Sequence, residues 1–282
     1  MLITPQYPVR PGTMARNAST AKYPNLQRGL AGAYVPAVQA SGTEMMNLAN
    51  SPDGWSDTTT HSGADLVGNG FVLDASGDYV GGVTSAKAFA WEARIFTVMV
   101  IFDLLTSADQ SGVLCGYGSG WDSNGEWALR QRVSFGANRN FSFTYRAFSS
   151  AGDCLWTDVF PRTLGYNSIA MSKPTVSAIP ADTFKAWVNG VYVGTPGSNT
   201  NPIVSLDESF SPVGHNGYAT HDDAKILATY VWMDRELAQS EIASVHADYL
   251  APLRRKPIHI PYAPAAAAAG GGAPMLTLLG VG

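Results

Sequence analysis

Residues 184–194 read Phe-Lys-Ala-Trp-Val-Asn-Gly-Val-Tyr-Val-Gly, two short β-prone runs around a central Asn-Gly. Asn189 and Gly190 both accept positive φ at low cost, and a two-residue type I′ turn requires positive φ at both central positions. Such a turn sets the register. Val188 stands opposite Val191, Trp187 opposite Tyr192, and Ala186 opposite Val193. Side chains alternate between the faces of a strand, so Trp187 and Tyr192 share one face. A cross-strand aromatic pair contributes about 0.2–1 kcal/mol. The turn signal is structural in itself, and it commits the chain to antiparallel strands.

Composition agrees. Charged residues make up 14% of the 282 and there are 29 glycines, a profile of strands and turns more than of helices. The length allows one large β domain or two ordinary ones. No apolar run approaches the 18 or so residues of a transmembrane helix, so no membrane partner is expected. Met1-Leu2-Ile3-Thr4-Pro5 lacks the basic start and apolar centre of a signal peptide, which points to synthesis in a cytoplasm without export. Cys115 and Cys154 are far apart and outside any CxxC motif. They are expected to be buried thiols, because chains made in a reducing compartment rarely form disulfides.

Charge is unevenly distributed. No acidic residue precedes Glu44, whereas Arg10, Arg16, Lys22 and Arg28 do; none follows Asp248, whereas Arg254, Arg255 and Lys256 do. The middle of the chain therefore carries a formal charge of −11 and the two ends together +7. Ends of this kind suit an acidic surface on a partner or on another copy of the chain. Nothing in the pattern calls for nucleic acid.

Residues 1–28 carry Pro5, Pro8, Pro11 and Pro24 without helical or strand periodicity and are expected to form an extended basic arm. Strands are expected at 29–36, in two pieces of 70–80 joined by an Asp/Ser/Gly turn, and at 96–102. The run Phe-Thr-Val-Met-Val-Ile-Phe at 96–102 is apolar throughout, as for a central strand buried on both faces. Further strands are expected at 112–117, 127–135, 141–147, 164–171 and 224–233. A helix is expected at 239–250, with Ile242, Val245, His246, Tyr249 and Leu250 on one face. Glu241 sits where it can accept a hydrogen bond from the N-cap amide. The N-cap residue is Ala238, which has no side-chain oxygen, so half of the capping box is missing, at a cost of about 1 kcal/mol against Ser. Beyond Leu250 lie the basic Pro-broken stretch, an Ala/Gly spacer, and the apolar plug Met275-Leu276-Thr277-Leu278-Leu279. The reading is an all-β antiparallel β-sandwich over 29–250 with one short C-terminal helix, flanked by arms at 1–28 and 251–282.

Several landmarks fall in a familiar order: the 29–36 strand, Phe71-x-Leu73-Asp74-x-x-x-Asp78-Tyr79-Val80, Phe96-Thr97-Val98, the 184–194 hairpin, and a 226–233 strand leading into Asp234-Arg235-Glu236-Leu237-Ala238-Gln239-Ser240-Glu241-Ile242. The chain is similar over 29–250 to the laminin-G-like jelly roll of the concanavalin A-like lectin/glucanase superfamily, and with its basic and Pro-rich flanks it resembles virion proteins of tailed bacteriophages. The resemblance implies a non-enzymatic structural virion protein: a capsid decoration or cement protein, head fibre or tail component. Its partners would be other virion proteins, including copies of itself. The alternative it implies is a carbohydrate-binding module that recognises a host-surface glycan. Anchoring would fall to Arg10, Arg16, Lys22, Arg28, Arg254, Arg255, Lys256, Leu276, Leu278 and Leu279.

Enzymatic motifs are missing. A glycosidase needs two carboxylates flanking the bond, and the Glu-x-Asp-x-x-Glu string of related glucanases does not occur, nor does a Gly-x-Ser-x-Gly elbow, His-Glu-x-x-His or a phosphate loop. No cofactor is expected beyond a weak case for calcium, which needs six to eight oxygens. Asp74 with Asp78, and Asp222 with Asp223, are the pairs to consider, although Asp serves such turns through its own local hydrogen bonds. Asp122-Ser123-Asn124-Gly125-Glu126 has its Gly at the wrong place for a calcium loop. His215 and His221 near Asp222 lack tight ligand spacing and are expected to be solvated loop residues. Sugar binding would draw on Trp121, Trp127 or Trp156, though large aromatics more often fill cores.

Overall fold

The computed structural model describes residues 21–38, 44–49, 58–74, 78–81, 91–105, 112–117, 127–133, 139–147, 150–160, 164–176, 184–195, 210–215 and 224–255. A helical turn α1 (Pro24–Gln27) precedes strands β1 (Leu30–Tyr34), β2 (Glu44–Met46), β3 (Thr58–Ser62), β4 (Asp65–Val67), β5 (Gly70–Leu73) and β6 (Tyr79–Gly81). There follow β7 (Phe96–Leu104), β8 (Gly112–Tyr117), β9 (Trp127–Val133), β10 (Arg139–Ala147), β11 (Ser150–Phe160) and β12 (Gly165–Lys173). The last strands are β13 (Lys185–Val188), β14 (Val191–Gly194), β15 (Phe210–Ser211), β16 (Val213–Gly214) and β17 (Ala224–Met233), and helix α2 (Gln239–Ala247) follows.

One layer is an eight-stranded sheet in the order β14-β13-β12-β7-β17-β5-β4, with β1 also paired to β17. The other layer comprises a five-stranded sheet, β11-β10-β9-β8-β15, and a four-stranded sheet, β16-β6-β3-β2. The ladders are antiparallel, as an Asn-Gly hairpin protein should be. Pro212 separates β15 from β16, so one short segment serves both small sheets. Proline has no N–H for a ladder and suits such a break. Its carbonyl accepts a 2.6 Å hydrogen bond from the buried Thr229 hydroxyl of β17, which ties the two layers together.

The large sheet is covered on both faces. Its inner face presents Phe71, Phe96, Val98, Val100, Phe102, Ile169, Met171, Ile226 and Val231 to the facing sheets. Its outer face presents Met99, Ile101, Ala170, Trp187, Tyr230 and Trp232 to α2 and to the ends of the folded chain. That double burial is the physical reason for the unbroken apolar run in β7, which lies between β12 and β17. The free edge of β1 is closed by a side chain: Asn47 donates to the Ala31 carbonyl at 3.0 Å and accepts from the Ala33 N–H at 2.9 Å, standing in for a further strand.

The hairpin has the expected turn, with φ of 51° at Asn189 and 79° at Gly190. Val188 pairs with Val191 and Trp187 with Tyr192, whose rings lie 5.6 Å apart. A bulge then shifts Ala186 onto Gly194 instead of Val193. Glycine accommodates that irregularity because its φ of 106° has no side-chain penalty. Helix α2 ends at Ala247, three residues before the expected Leu250, where the chain turns so that the Leu250 N–H donates to the Asp248 carboxylate. The half capping box is present: the Ala238 N–H donates to the Glu241 carboxylate at 2.9 Å, and Arg235 pairs with the same carboxylate.

Three readings are corrected. The two pieces of 70–80, expected as strands joined by a turn, belong to different sheets: β5 joins the large sheet and β6 the four-stranded one. An eleven-residue strand, β11, has no counterpart among the expected strands. The body also extends beyond both expected boundaries. Residues 24–27 form a helical turn instead of extended chain, because Pro24 presets φ at the first helical position and Leu26 is buried. Ala251, Pro252 and Leu253 are buried as well.

Candidate functional site

Of the three aromatic candidates for sugar binding, Trp127 has a described side chain. Trp127 is buried at 1% exposure, its ring 5.1 Å from Trp91 and 5.4 Å from Phe143 in the sandwich core. It fills volume between the layers and no ligand reaches it. Trp121 lies outside the described residues, and Trp156 is placed only through its strand register opposite Phe141. Asp74 and Asp78 behave as turn formers, the Asp74 N–H donating to the Asp78 carboxylate at 3.1 Å. His215 is corrected from a solvated loop residue to a buried one, packed where Gly116 leaves room for its ring. Asp222, Asp223, His221 and the 122–126 segment lie outside the described residues. Among the described residues no group of three His, Cys, Asp or Glu side chains could hold a metal ion. Cys115 is a buried free thiol, and burial pushes its pKa far up, which leaves it inert as a nucleophile; the Cys154 side chain lies outside the description.

What the structure does bring together is a polar row on the outer face of the large sheet. The register places Asp65 of β4 beside Val72 of β5, Val72 beside Lys225 of β17, Lys225 beside Asp103 of β7, and Asp103 beside Tyr166 of β12. Five adjacent strands thus each contribute one residue, across about 19 Å at the usual strand spacing. Every one of the five is exposed or half-exposed, whereas Ser168, Ile101 and Ala228 in the adjacent row of the same face are buried, and Val67 of β4 on that face is exposed. The Lys225 ammonium and Asp103 carboxylate form an ion pair at 3.3 Å.

The row stops at a wall built from the end of α2. The Tyr166 hydroxyl donates to the His246 carbonyl at 2.6 Å, which fixes its ring beside the imidazole, 5.3 Å away. The Ser168 hydroxyl meets His246 Nδ1 at 2.9 Å. Next along the wall, the Arg254 guanidinium donates to both oxygens of Asp248 at 2.9 and 3.2 Å. Burial pushes the Tyr166 phenol far up, reinforced by the neighbouring Tyr249, Asp248 and Asp103, so it stays a neutral donor. Burial pushes the His246 pKa down, which favours its neutral form beside the Ser168 hydroxyl. Exposed Leu105 and Leu164 border the row beside Asp103 and Tyr166, at 48% and 58% exposure. The arrangement is an aromatic ring with its hydroxyl already engaged, flanked by charge-paired hydrogen-bonding groups and apolar rims. Two of the carboxylates are held by cations, Asp103 by Lys225 and Asp248 by Arg254, while Asp65 at the far end of the row is exposed.

Of the expected anchoring residues, Lys22, Arg28, Arg254 and Arg255 are exposed on the body where its ends meet. Arg10, Arg16, Lys256, Leu276, Leu278 and Leu279 lie outside the described residues.

No protein-family model matches the chain, and no curated protein does. Solved structures match in fold. A Trypanosoma rangeli sialidase in complex with sialic acid is 15% identical with a TM-score of 0.53, covering 78% of this chain and 33% of its own. A structure described as a receptor binding domain is 12% identical with a TM-score of 0.56, covering 81% of this chain and 52% of its own. This chain thus spans about a third of the sialidase and half of the receptor binding domain, and at these identities what it shares with them is the β-sandwich fold.

Proposed function

We propose that this chain is a non-catalytic recognition module whose ligand is a carbohydrate, held on the polar row of the large sheet. One observation carries the reading: beside the buried row of Ser168, Ile101 and Ala228 on the outer face of the large sheet, a row of five strands stays open, and it combines the Tyr166 ring with the Lys225–Asp103 ion pair. Saccharides present apolar C–H faces and rigid arrays of hydroxyls, which an aromatic ring beside fixed donors and acceptors complements. The sandwich fold is shared with a third of a sialidase that binds sialic acid, which supports a carbohydrate as the ligand to test first. Absence of a catalytic role rests on the paired state of Asp103 and Asp248 and on the missing motifs of the sequence. A structural role in a virion, held through the chain ends, is the second reading, and what supports it is the resemblance in the sequence.

The test is an array of neutral and sialic-acid-terminated oligosaccharides probed with the full chain, followed by titration of the best ligand against Tyr166→Ala and Asp103→Asn. Losing the ring should weaken binding about tenfold, and losing the charged acceptor by a similar factor. Failure to bind any glycan refutes the ligand class. Binding that neither substitution weakens refutes the site.

A further inference from the structure

Each polar group of the row has a fixed sense of hydrogen bonding. Tyr166 spends its proton on the His246 carbonyl at 2.6 Å, so its oxygen is left to accept. Asp103 keeps the acceptor capacity that Lys225, 3.3 Å from one carboxylate oxygen, does not use. Asp65, at the β4 end, is an exposed carboxylate that makes no ion pair with any described residue, and an ionised carboxylate only accepts. Against these acceptors stand the remaining donors of the Lys225 ammonium. The row therefore calls for a ligand that donates. Charge leans the same way. Among the described residues, the row and its wall hold the carboxylates Asp65, Asp103 and Asp248 against the cations Lys225 and Arg254. Arg254 is committed to both oxygens of Asp248. Lys225 and Asp103 are a largely covered pair, with side-chain exposures of 22% and 21%. Pulling Lys225 towards an incoming anion would leave Asp103 uncompensated in that partly desolvated place. The charge left over is the Asp65 carboxylate.

We propose that the row selects uncharged, hydroxyl-rich saccharides and rejects sugars that carry a carboxylate, with Asp65 setting the discrimination. The assignment rests on the carbohydrate ligand proposed above for the same row and narrows it to one class of sugar. A sugar hydroxyl both donates and accepts. It can donate to Tyr166, Asp103 or Asp65 and accept from Lys225 while the Lys225–Asp103 pair stays intact. A sugar carboxylate only accepts. In the same place it leaves those three acceptors without a donor and meets the uncompensated Asp65 charge. Specificity of this kind comes from repulsion of the wrong ligand as much as from attraction of the right one. The exposed Leu105 and Leu164 beside Asp103 and Tyr166 add an apolar rim that suits the C–H face of an uncharged ring.

The experiment titrates the full chain with matched glycans: a neutral oligosaccharide, the same oligosaccharide with a terminal sialic acid, and that sialylated form with its carboxylate reduced to an alcohol. Reduction exchanges an acceptor-only anion for a hydroxyl and leaves the rest of the sugar as it was. The neutral and reduced members should each bind about tenfold or more tightly than the sialylated one, and Asp65→Lys should shrink that gap to about threefold or less. Asp65→Asn, which removes the charge and keeps the shape, should narrow the gap in part, and it decides the matter if the Lys variant fails to fold. Sialylated members that bind as tightly as the other two overturn the proposal, and so does a gap that neither Asp65 variant narrows. If those sialylated members lose affinity in Tyr166→Ala, the row still binds carbohydrate and the selectivity alone is refuted. If no glycan binds, the carbohydrate reading falls and this inference falls with it.

Discussion

Gly190→Ala is the substitution that best tests how the hairpin and helix α2 depend on each other. Two terms add. Gly190 has a φ of 79° in the type I′ turn, and a residue with a Cβ in that left-handed region costs about 1–2 kcal/mol. The new Cβ would also lie 3.2 Å from the Ala243 Cα and 3.4 Å from the His246 Cβ. The first neighbour is helix backbone and cannot rotate away, so α2 must move by a few tenths of an ångström. Overpacking of that kind costs about 1–3 kcal/mol, so the total should be about 2–5 kcal/mol. Gly68→Ala supplies the control. Gly68 has a φ of 64° in the β4–β5 turn and nothing within 4 Å of an added Cβ. It should therefore show the backbone term alone, about 1–2 kcal/mol. Urea denaturation monitored by tryptophan fluorescence gives both values. If the two variants lose the same stability, the turn does not bear on the helix, and the account of α2 as clamped onto the hairpin is wrong.

Trp127→Ala should cost about 3–5 kcal/mol, as for any large aromatic removed from a packed core, and at a temperature where the variant remains folded its glycan affinity should match the unmodified chain; a selective loss of affinity would return Trp127 to the binding surface. The His246 equilibrium predicts a pH dependence. Its pKa is lowered in the folded state by burial, so as pH falls below about 6.5 the unfolded chain takes up the proton first. The stability it contributes is complete above that pH and is lost as pH falls towards the folded-state value. The decline in melting temperature from pH 7 to pH 5 should accordingly be shallower in His246→Gln, and an equal decline in both proteins would show that the Ser168–His246 contact does not depend on the imidazole being neutral.

Much of the framework was legible in local sequence because local chemistry decides it. Asn189-Gly190 dictates the turn and the first two cross-strand pairs, since two positive φ values admit few residues. The uninterrupted apolar run of β7 marks a strand covered on both faces, and the Glu241 carboxylate at the third position of α2 marks the helix start despite Ala238. Where tertiary packing competes with local preference the reading stopped. β11 escaped because Ser150, Gly152 and Asp153 are poor strand formers and its place is set by pairing with β10. Pro24 read as a breaker of extended chain, while burial of Leu26 made it the start of a helical turn. The sequence left Trp127 between a core role and a sugar-binding one, and the facing sheet placed it against Trp91. The polar row is the clearest case. Asp65, Lys225, Asp103 and Tyr166 are each unremarked in sequence, separated by up to 160 residues along the chain, and nothing local selects them. Their juxtaposition follows from the strand order β4-β5-β17-β7-β12 and from the register of four ladders. Their exposure follows from where α2 and the chain ends stop covering the sheet. A single sequence fixes which face each residue takes through the two-residue period of a strand; which residues become neighbours on that face is decided only when non-local strands pair.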